Sequence, residues 1–192
     1  MALVAPQTEK YTYGDYLTWS DGKRWEIIKG VPYQMTPGPS MRHQLVLGEL
    51  HRQMANSLLG QRCRVILAPF DVRLPQGDEA DSQIDTVVQP DIVIVCDQTK
   101  LDERGCRRAP DLVVEILSLS TADRDQGVKL DLYEQHGVKE YWIVDPIDRE
   151  VIVRLLGEDG KYGPPITYAG EIDLEVATIP GLMIDLGRVF GD

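Results

Sequence analysis

The chain has 192 residues, of which 43% are hydrophobic and 27% charged, and its formal net charge is −11. That length suits one domain with a sizeable core, and the apolar share excludes a disordered chain. The acidity counts against tight non-specific binding of nucleic acid, which would need a local positive surface or divalent cations, but not against a metal-dependent nuclease.

No apolar run approaches the length of a bilayer span, so no membrane partner is expected. The first residues show no basic flank ahead of a hydrophobic segment, so a secretory signal is not expected and a cytoplasmic location is. The three cysteines, Cys63, Cys96 and Cys106, form no Cys-x-x-Cys pair. They read as reduced structural thiols, and none of His43, His51 or His136 lies at a zinc-ligand spacing from them.

In chain order, Thr12 to Trp19 predicts a short helix with Thr12 as N-cap and Asp15 three residues later. Trp25–Ile28 and Val31–Met35 flank Lys29-Gly30 as a hairpin, and Pro32 suits an edge strand. A Pro37–Pro39 break leads to Ser40, which can cap a long helix from Met41 to Leu59. There Leu47, Leu50, Met54 and Leu58 recur at helical spacing, Gly60 stops the run, and Arg42, His43, Glu49 and Arg52 form the polar side. Arg64–Ala68 and Phe70–Leu74 read as strands around Pro69, and Pro75–Ser82 as a solvent loop.

Thr86–Val88 running into Asp91–Val95, and then Leu112–Leu117, read as buried strands because β-branched residues fill them between turn-formers. The polar segment Asp97–Pro110 carries Arg104, Arg107 and Arg108. It is either a solvated connection or a source of phosphate contacts. Ser118–Thr121 should cap a helix from about Ala122 to His136, ended by Gly137. Tyr141–Val144 is then a strand, and the strand–helix–strand order implies parallel pairing. Val151–Leu156, Ile166–Tyr168 and Leu182–Ile184 complete a strand-rich end. The chain reads as one mixed α/β domain over 1–192.

Two carboxylates in apolar runs need compensation by cations, protons or hydrogen bonds. Asp91 opens one run and Glu115 closes another, so antiparallel neighbours would bring both to one sheet edge. Such oxygen ligands suit Mg²⁺ or Mn²⁺, with a backbone carbonyl near Ile116 adding a ligand without charge. Lys129 could hold the attacking hydroxide and offset transition-state charge, or simply pair with Asp125 four residues earlier. Asp91 could instead cap a turn after Pro90, and Glu115 could pair with an arginine. Glu26 either joins the cluster or is the solvent-facing partner in an alternating strand. His43 is a phosphate donor, a proton carrier or a surface imidazole. No glycine-rich phosphate loop, Gly-x-Ser-x-Gly elbow or His-Glu-x-x-His motif is present.

Taken in order, Trp25-Glu26-Ile27-Ile28-Lys29-Gly30, His43, Val88-Gln89-Pro90-Asp91, Val113-Val114-Glu115-Ile116-Leu117-Ser118, Asp125 with Lys129 and Tyr133, and Gly137 to Pro146 resemble the Uma-type restriction endonucleases. These fall within the PD-(D/E)XK nuclease superfamily, and the resemblance runs from about Tyr11 to Leu186. It implies a restriction-endonuclease-like central mixed β-sheet flanked by α-helices, and a DNA phosphodiesterase activity that uses Mg²⁺. Asp91 and Glu115 match its metal-binding acids. The superfamily's lysine would stand two residues after Glu115, where this chain has Leu117, and Lys129 on the following helix fits in its place. Glu26 matches an N-terminal acidic position and His43 a family histidine. A homodimer is implied by analogy with the superfamily. The missing lysine at Leu117 and the acidity leave a second reading, a non-cleaving binding or assembly protein on the same scaffold.

Overall fold

The computed structural model describes residues 9–35, 38–118 and 125–191. Two six-stranded mixed sheets with helices packed on them form the mixed α/β architecture that the resemblance implies. The first runs β2-β1-β5-β4-β8-β7, built from β1 (Trp25–Ile28), β2 (Val31–Gln34), β4 (Val72–Arg73), β5 (Val87–Val88), β7 (Leu101–Asp102) and β8 (Gly105–Arg107). The second runs β12-β11-β10-β9-β6-β3, from β3 (Arg64–Leu67), β6 (Ile92–Val95), β9 (Leu112–Ile116), β10 (Glu140–Asp145), β11 (Glu150–Leu155) and β12 (Ile166–Ala169).

The hairpin forms as its sequence predicts. Lys29 and Gly30 both have positive φ, 53° and 82°, the backbone a tight two-residue turn needs, and β2 with Pro32 is an edge strand. Thr12 caps the short helix α1 (Tyr13–Tyr16), with Asp15 closing the capping box. Ser40 caps the long helix α2 (Met41–Ser57) through the His43 N–H. The predicted break at Pro37 lies outside the described residues, as do residues 119–124 of the predicted cap and first turns before the next helix. That helix, α3, is described over Val128–His136 and ends at Gly137 in the left-handed region, as expected. The crossover brings β10 alongside β9 in parallel.

Alternation along the second sheet divides the core. Ile92, Ile94, Leu112, Val114 and Trp142 pack toward α2, the hairpin β13 (Asp173–Glu175) and β14 (Met183–Asp185), and the short helix α4 (Leu186–Val189). Val93, Val95, Val113, Tyr141 and Ile143 pack on the other face against α3 and the first sheet. Helix α2 faces the sheet with Leu50 and Met54 fully buried.

Three expectations are corrected. The run from Thr86 to Val95 is not one strand: Pro90 breaks it, and its halves, β5 and β6, belong to different sheets. Asp97–Pro110 is not a plain connection, because Leu101–Asp102 and Gly105–Arg107 pair as a small hairpin. Cys63 and Cys96 are not reduced thiols but a disulfide. Cys63 precedes β3 and Cys96 follows β6, and the Arg64↔Val95 register sets them opposite each other. Sequence spacing could not reveal that pairing. Cys106 remains free and buried.

The chain's C-terminal part is tied to β10 by one carboxylate. Fully buried Glu140 accepts from Trp142 Nε1 at 2.7 Å, Thr178 N at 2.8 Å, Thr178 Oγ1 at 2.9 Å and Ala177 N at 3.3 Å. Removing the acceptor leaves buried donors unsatisfied. Glu140→Ala should therefore lower unfolding stability by about 2–3 kcal/mol in urea denaturation; parental stability would show that those donors find water instead.

Candidate active site

Asp91 and Glu115 reach the same sheet end, as their positions in the two runs suggest. Strands β6 and β9 are antiparallel with Ile92 opposite Val114, which places Asp91, one residue earlier, across from Glu115. The Asp91 Oδ2 accepts the Ile116 N–H at 2.8 Å and lies 3.3 Å from His43 Nε2. Asp91 is thus held by the neighbouring strand and α2, and a mere turn cap after Pro90 does not describe it. Glu115, on the opposite alternation from Val114, points toward α3 and the first sheet, where it is buried.

Lys129 meets it there. Its ammonium lies 2.8 Å from Glu115 Oε1, 2.9 Å from Glu26 Oε1 and 3.5 Å from Asp125 Oδ1. The Asp125 pairing of the plainer reading therefore exists, but it is the longest of three. Glu26 is only 1% exposed, so it is not the solvent-facing member of its strand. It also accepts the Gln89 N–H at 3.0 Å, which joins β1 to the backbone just before Pro90-Asp91. Leu117 packs against the core shared by α3 and the first sheet, and the cation that meets Glu115 is Lys129 of α3.

Charge dominates the site. Burial, reinforced by the nearby carboxylates of Asp125, Asp91 and Glu26, pushes the Glu115 carboxyl well above its usual range against the pull of Lys129. Burial alone would lower the Lys129 ammonium, but Glu115, Glu26 and Asp125 outweigh it and hold the amine well above its usual value. Lys129 is therefore a cation rather than a base. Among the described residues, the Lys129 ammonium is shared by three carboxylates, those of Glu115, Glu26 and Asp125.

The donor set fits Mg²⁺ on local grounds. Asp91 commits Oδ2 to Ile116 and His43, and Glu115 commits Oε1 to Lys129 and to the Tyr133 hydroxyl at 2.7 Å. Oδ1 of Asp91 and Oε2 of Glu115 accept no hydrogen bond among the described residues. No three Asp, Glu, His or Cys side chains among the described residues form a ready metal cage. Mg²⁺ keeps several waters and takes one or two protein carboxylates, so two free oxygens suit it better than Ca²⁺ or Zn²⁺.

Two sequence readings change. His43 is not a polar-side surface imidazole: it is 6% exposed, three and four residues before Val46 and Leu47 on the buried face of α2. The arginines of the β7–β8 region are engaged with acids: Arg107 binds Asp81 at 3.0 Å and Arg108 binds Asp78 at 2.8 Å, beside a buried Arg73 paired with Asp81 and Asp102. Sequence reasoning also missed two contributors. Tyr133, which the sequence marks only through the family resemblance, is buried in the core and follows Lys129 by four residues, so its hydroxyl reaches the same Glu115 oxygen. Gln89 acts through its backbone, which leaves no signal in residue type.

The sequence profile of the Uma2 family, described as "Putative restriction endonuclease", matches residues 13–187. The chain belongs to the Uma2 family. A Synechocystis sp. relative, the uncharacterized protein slr1290, is 27% identical over 151 residues, covering 77% of this chain and 75% of its own. Among solved structures, a putative nuclease belonging to DUF820 from Anabaena variabilis superposes with a TM-score of 0.73 at 20% identity, covering 93% of this chain and 97% of that one. The Uma2 chain therefore has the α/β fold of that structure. Among the described residues no helix is long and apolar enough to cross a membrane.

Lys129→Met would leave Glu26, Glu115 and Asp125 buried around an uncharged side chain. Breaking such a pair costs about 3–5 kcal/mol. The folded carboxyls would then hold protons more tightly than the unfolded chain, so folded stability falls as pH rises. The expected loss in urea denaturation is large at pH 7 and smaller at pH 5; a loss independent of pH would mean the carboxylates do not depend on this ammonium.

Proposed function

We propose that this Uma2 protein is an endonuclease that hydrolyses DNA phosphodiester bonds with Mg²⁺, for which Mn²⁺ substitutes. The observation that supports this reading most is the meeting of Asp91 and Glu115 at one sheet end, with the Lys129 ammonium 2.8 Å from Glu115. In this reading Asp91 Oδ1, Glu115 Oε2 and the Ile116 carbonyl hold the ion. When bound, the ion polarises a phosphoryl oxygen and lowers the pKa of a water.

The chain's own residues do the rest. Lys129, charged and fixed by carboxylates, orients the attacking oxygen and offsets negative charge as it builds on phosphate. Glu26 keeps that ammonium in place from the first sheet, and through Gln89 it restrains the Asp91 turn. The acidic chain then approaches DNA through ion-bridged phosphate rather than through a basic face. Two copies in a homodimer would cut both strands of a duplex.

A second reading draws on the enclosure of Lys129, which is 4% exposed and already committed to three carboxylates. It is a non-cleaving binding or assembly protein that keeps the cluster for stability.

Plasmid nicking with Mg²⁺ or Mn²⁺ separates the two. The parent should nick, Asp91→Asn and Glu115→Gln should give no detectable product, and Lys129→Met should slow nicking by about 10²–10³-fold. If all three folded variants nick like the parent, the site is wrong; if the parent neither nicks nor binds Mn²⁺ in calorimetry, the second reading holds.

A further inference from the structure

Among the described residues, each of the two carboxylates proposed to bind metal has one oxygen approached by two groups and the other accepting no hydrogen bond. For Asp91 the pair is the Ile116 N–H and His43 Nε2; for Glu115 it is Lys129 and the Tyr133 hydroxyl. We infer that His43 and Tyr133 are positioning residues, which fix the rotation of Asp91 and Glu115 so that Oδ1 and Oε2 converge on a divalent cation. The inference rests on the metal reading above and adds the roles of these two side chains.

The chemistry of His43 supports this assignment. It is buried on α2; among the described residues its Nδ1 has no hydrogen-bond partner, whereas its Nε2 faces a carboxylate oxygen at 3.3 Å. Nε2 is thus the ring nitrogen that contacts Asp91 Oδ2. Because the Ile116 N–H donates to that same oxygen, the two contacts together oppose rotation of the carboxylate.

Tyr133 does the same for Glu115 from the other side of the sheet. Its ring is fully buried and packs edge-on against Tyr141 at 4.9 Å, and the Tyr141 hydroxyl donates to the Asp125 carbonyl at 2.9 Å. A phenol ordinarily keeps its proton at neutral pH. The Tyr133 hydroxyl is therefore a permanent donor on a rigid ring. Lysine alone, with three rotatable donors and three carboxylates to serve, would fix Glu115 less well.

Outer groups of this kind typically set metal affinity by 10–100-fold. Mn²⁺ titration calorimetry on the full chain, with thermal melts as a check on folding, provides a test without turnover. Tyr133→Phe, which removes only the hydroxyl, should weaken Mn²⁺ binding by about tenfold or more. His43→Leu fills the site without a donor and should weaken binding similarly, while His43→Gln, whose amide reaches the place of Nε2, should recover most of it. The inference is overturned if either Y133F or H43L binds Mn²⁺ like the parent, or if H43Q is as weak as H43L. Asp91→Asn separates the layers: if D91N loses Mn²⁺ while Y133F and H43L retain it, only the positioning roles fall. If D91N and the parent behave alike, the metal reading falls and the positioning roles with it.

Discussion

A single buried ammonium joins the two sheets and α3. Lys129 contacts Glu115 on the second sheet, Glu26 on the first and Asp125 on its own chain segment. Its charge opposes the cost of burying those carboxylates in a low-dielectric interior. With it, three elements far apart in sequence must adopt one relative placement. A buried ion pair of this kind adds little net stability over a well-packed apolar alternative, so its value lies in what it fixes. What it fixes is the end of the sheet where Asp91 and Glu115 lie side by side.

The surrounding structure works toward the same end. Residues of opposite alternation on β9 serve different purposes: Val114 and Ile116 anchor α2, while Glu115 faces α3. Helix α2 returns to the cluster through His43, and β1 returns through Glu26 and the Gln89 backbone. Glu140 closes the far side by holding the loop at Thr178 against β10. The result is a cluster of carboxylates around one ammonium in which, among the described residues, Asp91 Oδ1 and Glu115 Oε2 accept no hydrogen bond.

Much of this was legible in the sequence because it is local. Turn residues marked the β1–β2 hairpin, Thr12 and Ser40 marked helix starts, Gly137 marked a helix stop, and β-branched runs marked β6, β9 and β10. Asp91 and Glu115 were legible as unusual charges in apolar runs. What stayed hidden depended on which strand lies beside which. The split of Thr86–Val95 between two sheets, the Cys63–Cys96 bond and the engagement of Arg107 and Arg108 by Asp81 and Asp78 are all consequences of pairing.

His43 and Lys129 show where the boundary falls. Their helices and their spacing to Leu47 and Tyr133 are set by a period of 3.6 residues, which the chain itself carries. Whether an imidazole on a helix face meets solvent or a carboxylate is not periodic information; it depends on where α2 docks across the sheet end. The sequence alone determined most helices and the longer strands, and it marked Asp91 and Glu115 as charges in apolar runs, because these rest on near neighbours along the chain; the fold family came from a resemblance spread over most of its length. Only tertiary structure decided that Glu26, Glu115 and Asp125 share one ammonium, because that requires segments about a hundred residues apart to pack within hydrogen-bonding distance.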